Sequence, residues 1–73
     1  MGKRKVRLTN CIRERRAGAD GMTQQQLADL VGVTRQTINA IEANKYSPSL
    51  EVAFLIARAL DARLEELFGI VEG

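Results

Sequence analysis

The sequence predicts one small all-α domain of five short helices, spanning residues 1–73. Three observations support this fold class. Ser and Thr residues, which favour helix starts, stand directly before apolar residues spaced at the period of an α-helix. The chain has three aromatic residues but many Leu, Ile, Val and Ala residues, a composition that suits helices better than sheet. Its 73 residues suffice for a single modest core.

The two terminal segments are compatible with a ribbon. Residues 3–8 alternate in polarity, as a half-buried strand would, but the alternative of a disordered basic tail is favoured for this stretch taken alone. Residues 68–71 are compatible with a second strand that pairs with residues 4–8. Such pairing would join the termini in a small two-stranded ribbon.

The first two helices are separated by a glycine-containing loop. Residues 9–17 form the first predicted helix, with Thr9 or Asn10 as its N-cap. Thr23 caps the second helix, and Gln26 completes a capping box three residues later. We therefore expect a clear helix start at Thr23.

The second and third helices are separated by a very short turn. Gly32 ends the second helix, because glycine accepts the left-handed conformation found at helix ends. Thr34 caps the third helix, which runs from Arg35 to Ala43, and Asn44 ends it. Ala28 is small enough for the two helices to cross closely. These spacings over residues 23–43 are typical of a helix-turn-helix.

The C-terminal region, residues 50–71, is predicted to mediate dimerisation. Ser49 caps a fourth helix, Leu50–Leu60, which is apolar nearly all round and therefore needs a partner to cover it. A short last helix runs from Arg63 to Leu67. The predicted core stripe of the fourth helix comprises Leu50, Ala53, Phe54, Ala57 and Leu60. The predicted dimer contacts are drawn from Leu55, Ile56, Phe68, Ile70 and Val71.

Composition excludes several classes of site. The single cysteine, Cys11, and the absence of histidine exclude an internal disulfide and a Cys/His zinc site. We expect no metal and no cofactor, which leaves oligomerisation as the usual way to stabilise so small a domain. The longest apolar run, Val52–Ala57, is far shorter than the roughly 20 residues that span a membrane. We therefore expect a cytoplasmic protein.

Charge is distributed unevenly along the chain. Residues 1–16 hold seven basic residues and one acidic residue, whereas residues 47–73 hold two basic and five acidic residues. A one-sided distribution fits binding of a polyanion, although a charged stretch can also be a solvated face. The basic N-terminal segment, residues 1–8, either contacts phosphates or lies on a ribbon edge.

The stretch TQQQLADLVGVTRQTINAIE and its continuation ANKYSPSLEVAFLIARAL resemble the Xre family, the Cro/repressor type of helix-turn-helix. The likeness covers residues 6–68 and is greatest to small single-domain regulators of the cytolysin repressor type. It implies a lambda-repressor-like five-helix fold with the third helix in the major groove of double-stranded DNA. It also implies a structural salt bridge between Arg13 and Glu42. The loop over residues 17–22 is longer than in those regulators, and Ala62 and Arg63 replace the usual cap before the last helix.

The resemblance and the residue types together define a candidate DNA-binding set. Gln24 matches a position that bonds a DNA phosphate, and helix N-termini suit anions. Gln36, Thr37 and Asn39 are expected to select bases, because Gln and Asn side chains can bond adenine through two hydrogen bonds and Thr can offer a hydroxyl or a methyl group. Thr34 is expected to serve as the N-cap of the third helix rather than as a DNA contact. The residues after that helix are expected to contact the DNA backbone. The candidate residues are Gln24, Thr34, Arg35, Gln36, Thr37, Asn39, Asn44, Lys45 and Tyr46.

The predicted function is that of a prokaryotic, sequence-specific DNA-binding transcriptional regulator. We expect a repressor that binds an inverted-repeat operator as a homodimer. The main alternative is an antitoxin-like role, in which the apolar fourth helix binds a partner toxin. An enzyme is disfavoured by the lack of histidine, of a metal cluster and of a glycine loop that could cradle phosphates.

Overall fold

A computed structural model of the protein describes residues 5–72. These residues form five helices and two strands. The elements in chain order are β1 (Val6–Asn10), α1 (Ile12–Ala17), α2 (Gln24–Val31), α3 (Arg35–Glu42), α4 (Leu50–Ala59), α5 (Leu64–Leu67) and β2 (Phe68–Glu72).

The predicted helix starts at Thr23, Thr34 and Ser49 are confirmed. The Thr23 hydroxyl accepts from the Gln26 backbone N–H at 3.0 Å, and the Gln26 side chain accepts from the Thr23 backbone N–H at 2.8 Å. The Ser49 hydroxyl accepts from the Val52 N–H at 3.2 Å. Each bond satisfies an N–H group that the helix itself leaves without a partner.

The two termini pair as an antiparallel ribbon. Its register runs from Val6 opposite Glu72 to Asn10 opposite Phe68. The prediction of a tail was therefore wrong for Val6–Leu8, and the described domain is helical with a β-ribbon rather than purely α. Lys3 and Arg4 lie outside the described residues.

The first helix begins later than the sequence predicts. Thr9 and Asn10 belong to β1, and α1 starts at Ile12. Pairing with β2 overrides the weak local preference for a cap at these positions. Asn10 still serves the helix, because its side-chain oxygen accepts from the Ile12 N–H at 3.1 Å. The Cys11 N–H donates to the Leu67 carbonyl at 2.9 Å and fastens the ribbon to α5.

One apolar core holds the helices together. Its largest fully buried side chains come from all five helices: Ile12, Leu27, Ile38, Ile41, Ile56 and Leu67. Each such side chain stabilises the fold by about 1.5–3 kcal/mol relative to an exposed position.

Helix α4 faces the core differently from the prediction. Ala53, Ile56, Ala57 and Leu60 are buried, whereas Leu50 is 66% exposed and Phe54 is 55% exposed. The predicted stripe was therefore wrong at Leu50 and Phe54. Because the helix is apolar nearly all round, its sequence pattern does not single out one face.

Helix α5 starts with a substitute for a conventional cap. Arg63 lies at the cap position instead of being the first helical residue. The Glu66 carboxylate accepts from the Arg63 backbone N–H at 2.7 Å. A side chain within the helix thus satisfies the N–H group at its start, and no Ser or Asp is needed before it.

Within residues 5–72, no helix is long and apolar enough to cross a membrane. The same part of the chain holds no group of three or more His, Cys, Asp or Glu side chains arranged to bind a metal ion.

Candidate nucleic-acid interface

Helices α2 and α3 are joined by a three-residue turn, residues 32–34. Gly32 has φ 86° and ψ 31°, a left-handed conformation, and both its N–H and that of Val33 donate to the Ala28 carbonyl. Ala28 is fully buried. The predicted reason for a glycine at position 32 is therefore confirmed.

Helix α3 has one buried and one exposed face. Ile38 and Ile41 are buried in the core. Arg35, Gln36 and Asn39 are exposed. Of the three side chains predicted to select bases, Gln36 and Asn39 thus lie on the exposed face of the helix, and Thr37 is half-buried.

Thr34 and Thr37 interact with each other at the start of α3. The Thr34 hydroxyl accepts from the Thr37 backbone N–H at 3.1 Å, and the two hydroxyl oxygens are 3.0 Å apart. Thr34 is the N-cap, as predicted. Both hydroxyls have local partners.

Glu42, at the end of α3, is held by Arg16 of α1. Its Oε2 lies 2.7 Å from Arg16 Nε, and its Oε1 lies 3.1 Å from Arg16 Nη2. The prediction that Arg13 would form this pair was wrong, because Arg16 makes both bonds to the carboxylate, whereas Arg13 is exposed. Helical periodicity could have identified Arg16, because it follows the buried Ile12 by one helical turn and therefore lies on the same side of α1.

Gln24 links Glu42 to the exposed face of α3. Its Nε2 donates to Glu42 Oε1 at 3.0 Å, and its Oε1 accepts from Asn39 Nδ2 at 3.4 Å. The structure therefore brings together two predicted DNA contacts, Gln24 and Asn39. They lie in a polar cleft that is also lined by Arg13, Glu14 and Glu42.

The C-terminal end of α3 is closed by Asn44. This residue has φ 60°, and its N–H donates to the Ile41 carbonyl at 3.0 Å, while the Lys45 N–H donates to the Ala40 carbonyl at 2.9 Å. These two bonds form the Schellman pattern, which satisfies carbonyls that a helix end would otherwise expose. Asn44 thus ends the helix, as predicted.

Asn10 of the ribbon is tied to the same helix end. Its Nδ2 donates to the Ile41 carbonyl at 3.0 Å and to Asn44 Oδ1 at 2.9 Å. Sequence reasoning missed this role, because it needs the ribbon to lie beside α3. Arg7 lines a small surface cleft with Asn44 and Tyr46.

Comparison with known proteins identifies the family. A family model described as helix-turn-helix matches residues 12–67. The chain belongs to this family. The Xre-type helix-turn-helix predicted from the sequence is thereby confirmed.

The relatives that match are named as transcriptional regulators. An HTH-type transcriptional regulator of Archaeoglobus fulgidus is 56% identical over 57 residues, covering 78% of this chain and 80% of that protein. One of Methanothermobacter thermautotrophicus is 55% identical over 58 residues, covering 78% and 83%. The HTH-type transcriptional regulator YgzD of Bacillus subtilis is 42% identical over 65 residues, covering 89% and 97%. These names agree with the prediction that the chain is not an enzyme.

The long loop of this helix-turn-helix protein is fastened to α1. The Met22 N–H donates to the Arg16 carbonyl at 3.0 Å, and Arg16 Nη1 donates to the Met22 carbonyl at 2.7 Å. Ala17 is the last residue of α1, so the loop begins at Gly18, and it is closed at Met22 by the same arginine that holds Glu42.

Proposed function

We propose that this protein is a sequence-specific, double-stranded DNA-binding transcriptional regulator in which α2 and α3 are the helix-turn-helix. The observation that carries the proposal is the two-faced character of α3. Its apolar face is buried through Ile38 and Ile41, and its exposed face presents Arg35, Gln36 and Asn39. A rigid helix with polar side chains that can bond base edges suits the major groove.

Phosphate contacts would set the position of α3. Gln24 stands at the first residue of α2, where free backbone N–H groups favour an anion. Asn44, Lys45 and Tyr46 follow α3 and are exposed. Such contacts supply affinity without selecting a sequence.

The ribbon extends this basic surface. Arg7 and Lys5 are exposed, and Arg7 shares a cleft with Asn44 and Tyr46. Of the two roles left open for the basic N-terminal segment, this position of Arg7 favours contact with DNA phosphates over a ribbon edge that binds nothing. Lys3 and Arg4 are not part of this proposal, since they lie outside the described residues.

We further propose a two-fold homodimer. Ile56, one of the predicted dimer contacts, is fully buried and is therefore not part of the proposed interface. Leu8, Leu64, Phe68 and Ile70 line an apolar depression, and exposed Phe54 lines a neighbouring one that also includes Leu64. The two depressions form one surface that a second copy would cover. Dimerisation would place two α3 helices about 34 Å apart and predicts an inverted-repeat operator.

Repression is the proposed outcome of binding. A dimer that occupies a promoter obstructs polymerase without any chemical step. In the alternative, antitoxin-like role, the same exposed apolar surface would bind a toxin instead of a second copy of this chain.

Selection from a randomised double-stranded DNA pool, at salt near physiological, tests the function. The proposal predicts an enriched inverted repeat with half-site centres about 10–11 base pairs apart. Binding that enriches no sequence and disappears on a modest increase in salt would contradict it. Sedimentation of the protein without DNA tests the homodimer, and a monomer that pairs only with a second, co-purifying protein would favour the antitoxin-like role.

A further inference from the structure

Four side chains form a continuous chain of hydrogen bonds from α1 to the exposed face of α3. Arg16 donates twice to Glu42, Gln24 donates to Glu42, and Asn39 donates to Gln24. The Arg16 and Glu42 side chains are only 12% and 8% exposed, whereas Asn39 is exposed. The chain therefore starts in a desolvated ion pair and ends at a residue that faces the proposed DNA site.

The chemistry of each member fixes the direction of every bond. A carboxylate only accepts hydrogen bonds, so Gln24 must turn its NH₂ group toward Glu42. The Gln24 oxygen then points the other way and can only accept, so Asn39 must turn its NH₂ group toward Gln24. An amide side chain that is otherwise free to flip end over end is thereby held in one orientation.

We propose that Glu42 is a positioning residue that sets, through Gln24, the donor and acceptor arrangement that Asn39 presents to DNA. The inference rests on the proposed DNA-binding function. Asn39 uses one N–H on Gln24 and keeps its second N–H and its Oδ1. Those are the two groups that a paired contact with adenine requires. The network leaves both available and determines which side of the amide each one occupies.

Glu42 can act in this way without touching a base. Its Oε2 is 2.7 Å from Arg16 Nε, and its Oε1 is shared between Arg16 Nη2 and Gln24 Nε2. Both oxygens thus have protein partners below the exposed face. A Gln side chain at position 42 would have nearly the same shape but could turn either its oxygen or its NH₂ group toward Gln24.

The test compares Glu42→Gln with the starting protein in two backgrounds. The operator is first obtained from the starting protein, and Asn39→Ala then identifies the base position that Asn39 reads. We expect Glu42→Gln to reduce the base preference at that position by about tenfold. In the Asn39→Ala background, Glu42→Gln should cause no further loss of preference there. All binding is measured well below the unfolding temperature of each variant.

Two outcomes would overturn the inference. One is an unchanged preference at the Asn39 position in Glu42→Gln. The other is an equal loss at every position that persists in the Asn39→Ala background, which would indicate a structural role alone. If the starting protein selects no sequence, the proposed function itself has failed, which is a distinguishable result.

A second variant and a second measurement avoid dependence on the ion pair. Gln24→Met removes the hydrogen bonds of Gln24 to Glu42 and to Asn39 but leaves Arg16 and Glu42 paired. We expect it to reduce the base preference at the same operator position. Side-chain amide NMR of the DNA-free protein should show a distinct Asn39 NH₂ signal that shifts in both Glu42→Gln and Gln24→Met. An Asn39 signal unaffected by either substitution would also overturn the inference.

Discussion

Arg16 holds the carboxylate of Glu42 through two N–H groups, with Nε 2.7 Å from Oε2 and Nη2 3.1 Å from Oε1. Its remaining terminal nitrogen donates to the Met22 carbonyl at 2.7 Å. One guanidinium therefore fixes the end of α3, the loop before α2 and its own helix α1 relative to one another. The pair is largely shielded from solvent, so neither charge can be removed alone without leaving the other uncompensated.

Removing Arg16 should destabilise the fold strongly. Arg16→Ala leaves the Glu42 carboxylate without its cation, and we expect a loss of about 3 kcal/mol in the free energy of unfolding. Urea denaturation measures this loss. Arg13→Ala is the matched control, since Arg13 lies exposed on the same helix, and its effect should stay within about 0.5 kcal/mol. Equal losses in the two variants would contradict the pairing.

The turn between α2 and α3 should not tolerate a side chain. Gly32 has φ 86°, so Gly32→Ala should cost about 1–2 kcal/mol of stability. Gly18→Ala provides the comparison, because Gly18 has φ −76° and an added Cβ would lie 3.7 Å from its nearest neighbours. Thermal unfolding should show a clear loss for the first variant and little change for the second. A reversed order would mean that the turn adopts another conformation.

Gln36 should affect base preference without affecting folding. The side chain is exposed, so Gln36→Ala should leave the unfolding temperature nearly unchanged. On the selected operator, we expect the discrimination at one base position to fall by about 1–3 kcal/mol. Competition binding against single-base operator variants measures this. A uniform loss over all positions would instead assign Gln36 to the DNA backbone.

Acid should weaken the start of α5. The Arg63 backbone N–H holds the pKa of Glu66 below its ordinary value of 4.5, against a weaker effect of desolvation and with help from the charges of Arg15 and Arg63. Since the folded pKa is the lower one, the contribution is present above the ordinary value and is lost as pH falls through the lowered value. Stability measured across this acid range should fall less in Glu66→Gln than in the starting protein.

Glu65→Gln controls for the change in net charge. It removes one carboxylate from the same turn but leaves the bond between Glu66 and the Arg63 N–H in place. We expect this variant to keep the acid dependence of the starting protein. If Glu66→Gln keeps it too, the hydrogen bond at the start of α5 has no measurable role in acid stability.

A charge on one face of the ribbon should separate the homodimer. Ile70 is 64% exposed and lines the apolar depression with Leu64. Ile70→Asp should weaken self-association by at least about tenfold. Val71→Asp is the control. The sequence predicted Val71 as a dimer contact, but consecutive residues of a strand point to opposite faces, so Val71 lies on the face away from Ile70 and is left out of the proposed interface. Sedimentation equilibrium measures both, and equal dimer affinity in the two variants would remove this depression from the interface.

Features that depend on a few adjacent residues could be predicted from the sequence. The caps at Thr23, Thr34 and Ser49 and the glycine at position 32 each satisfy a local backbone requirement. The alternation of exposed and buried residues in α3 follows from its strong periodicity, since Ile38 and Ile41 are its only large apolar side chains.

Features that depend on contacts between residues far apart in the sequence could not be predicted. The β1 strand displaced the predicted start of α1, because Thr9 and Asn10 pair with residues that lie far away in the sequence. Arg16 rather than Arg13 reaches Glu42 because α1 is oriented by burying Ile12. The face that α4 turns to the core is chosen by its neighbours, since its sequence offers apolar residues on every side.

The affinity ratio between the selected operator and a shuffled duplex of the same composition tests sequence-specific DNA reading most directly. It should be measured at one near-physiological salt concentration, because phosphate contacts alone depend strongly on salt. A regulator that reads bases through α3 predicts a ratio of about 10³ or more. A ratio near one would show that the protein binds DNA only through its charge, or not at all, and would contradict the proposed function.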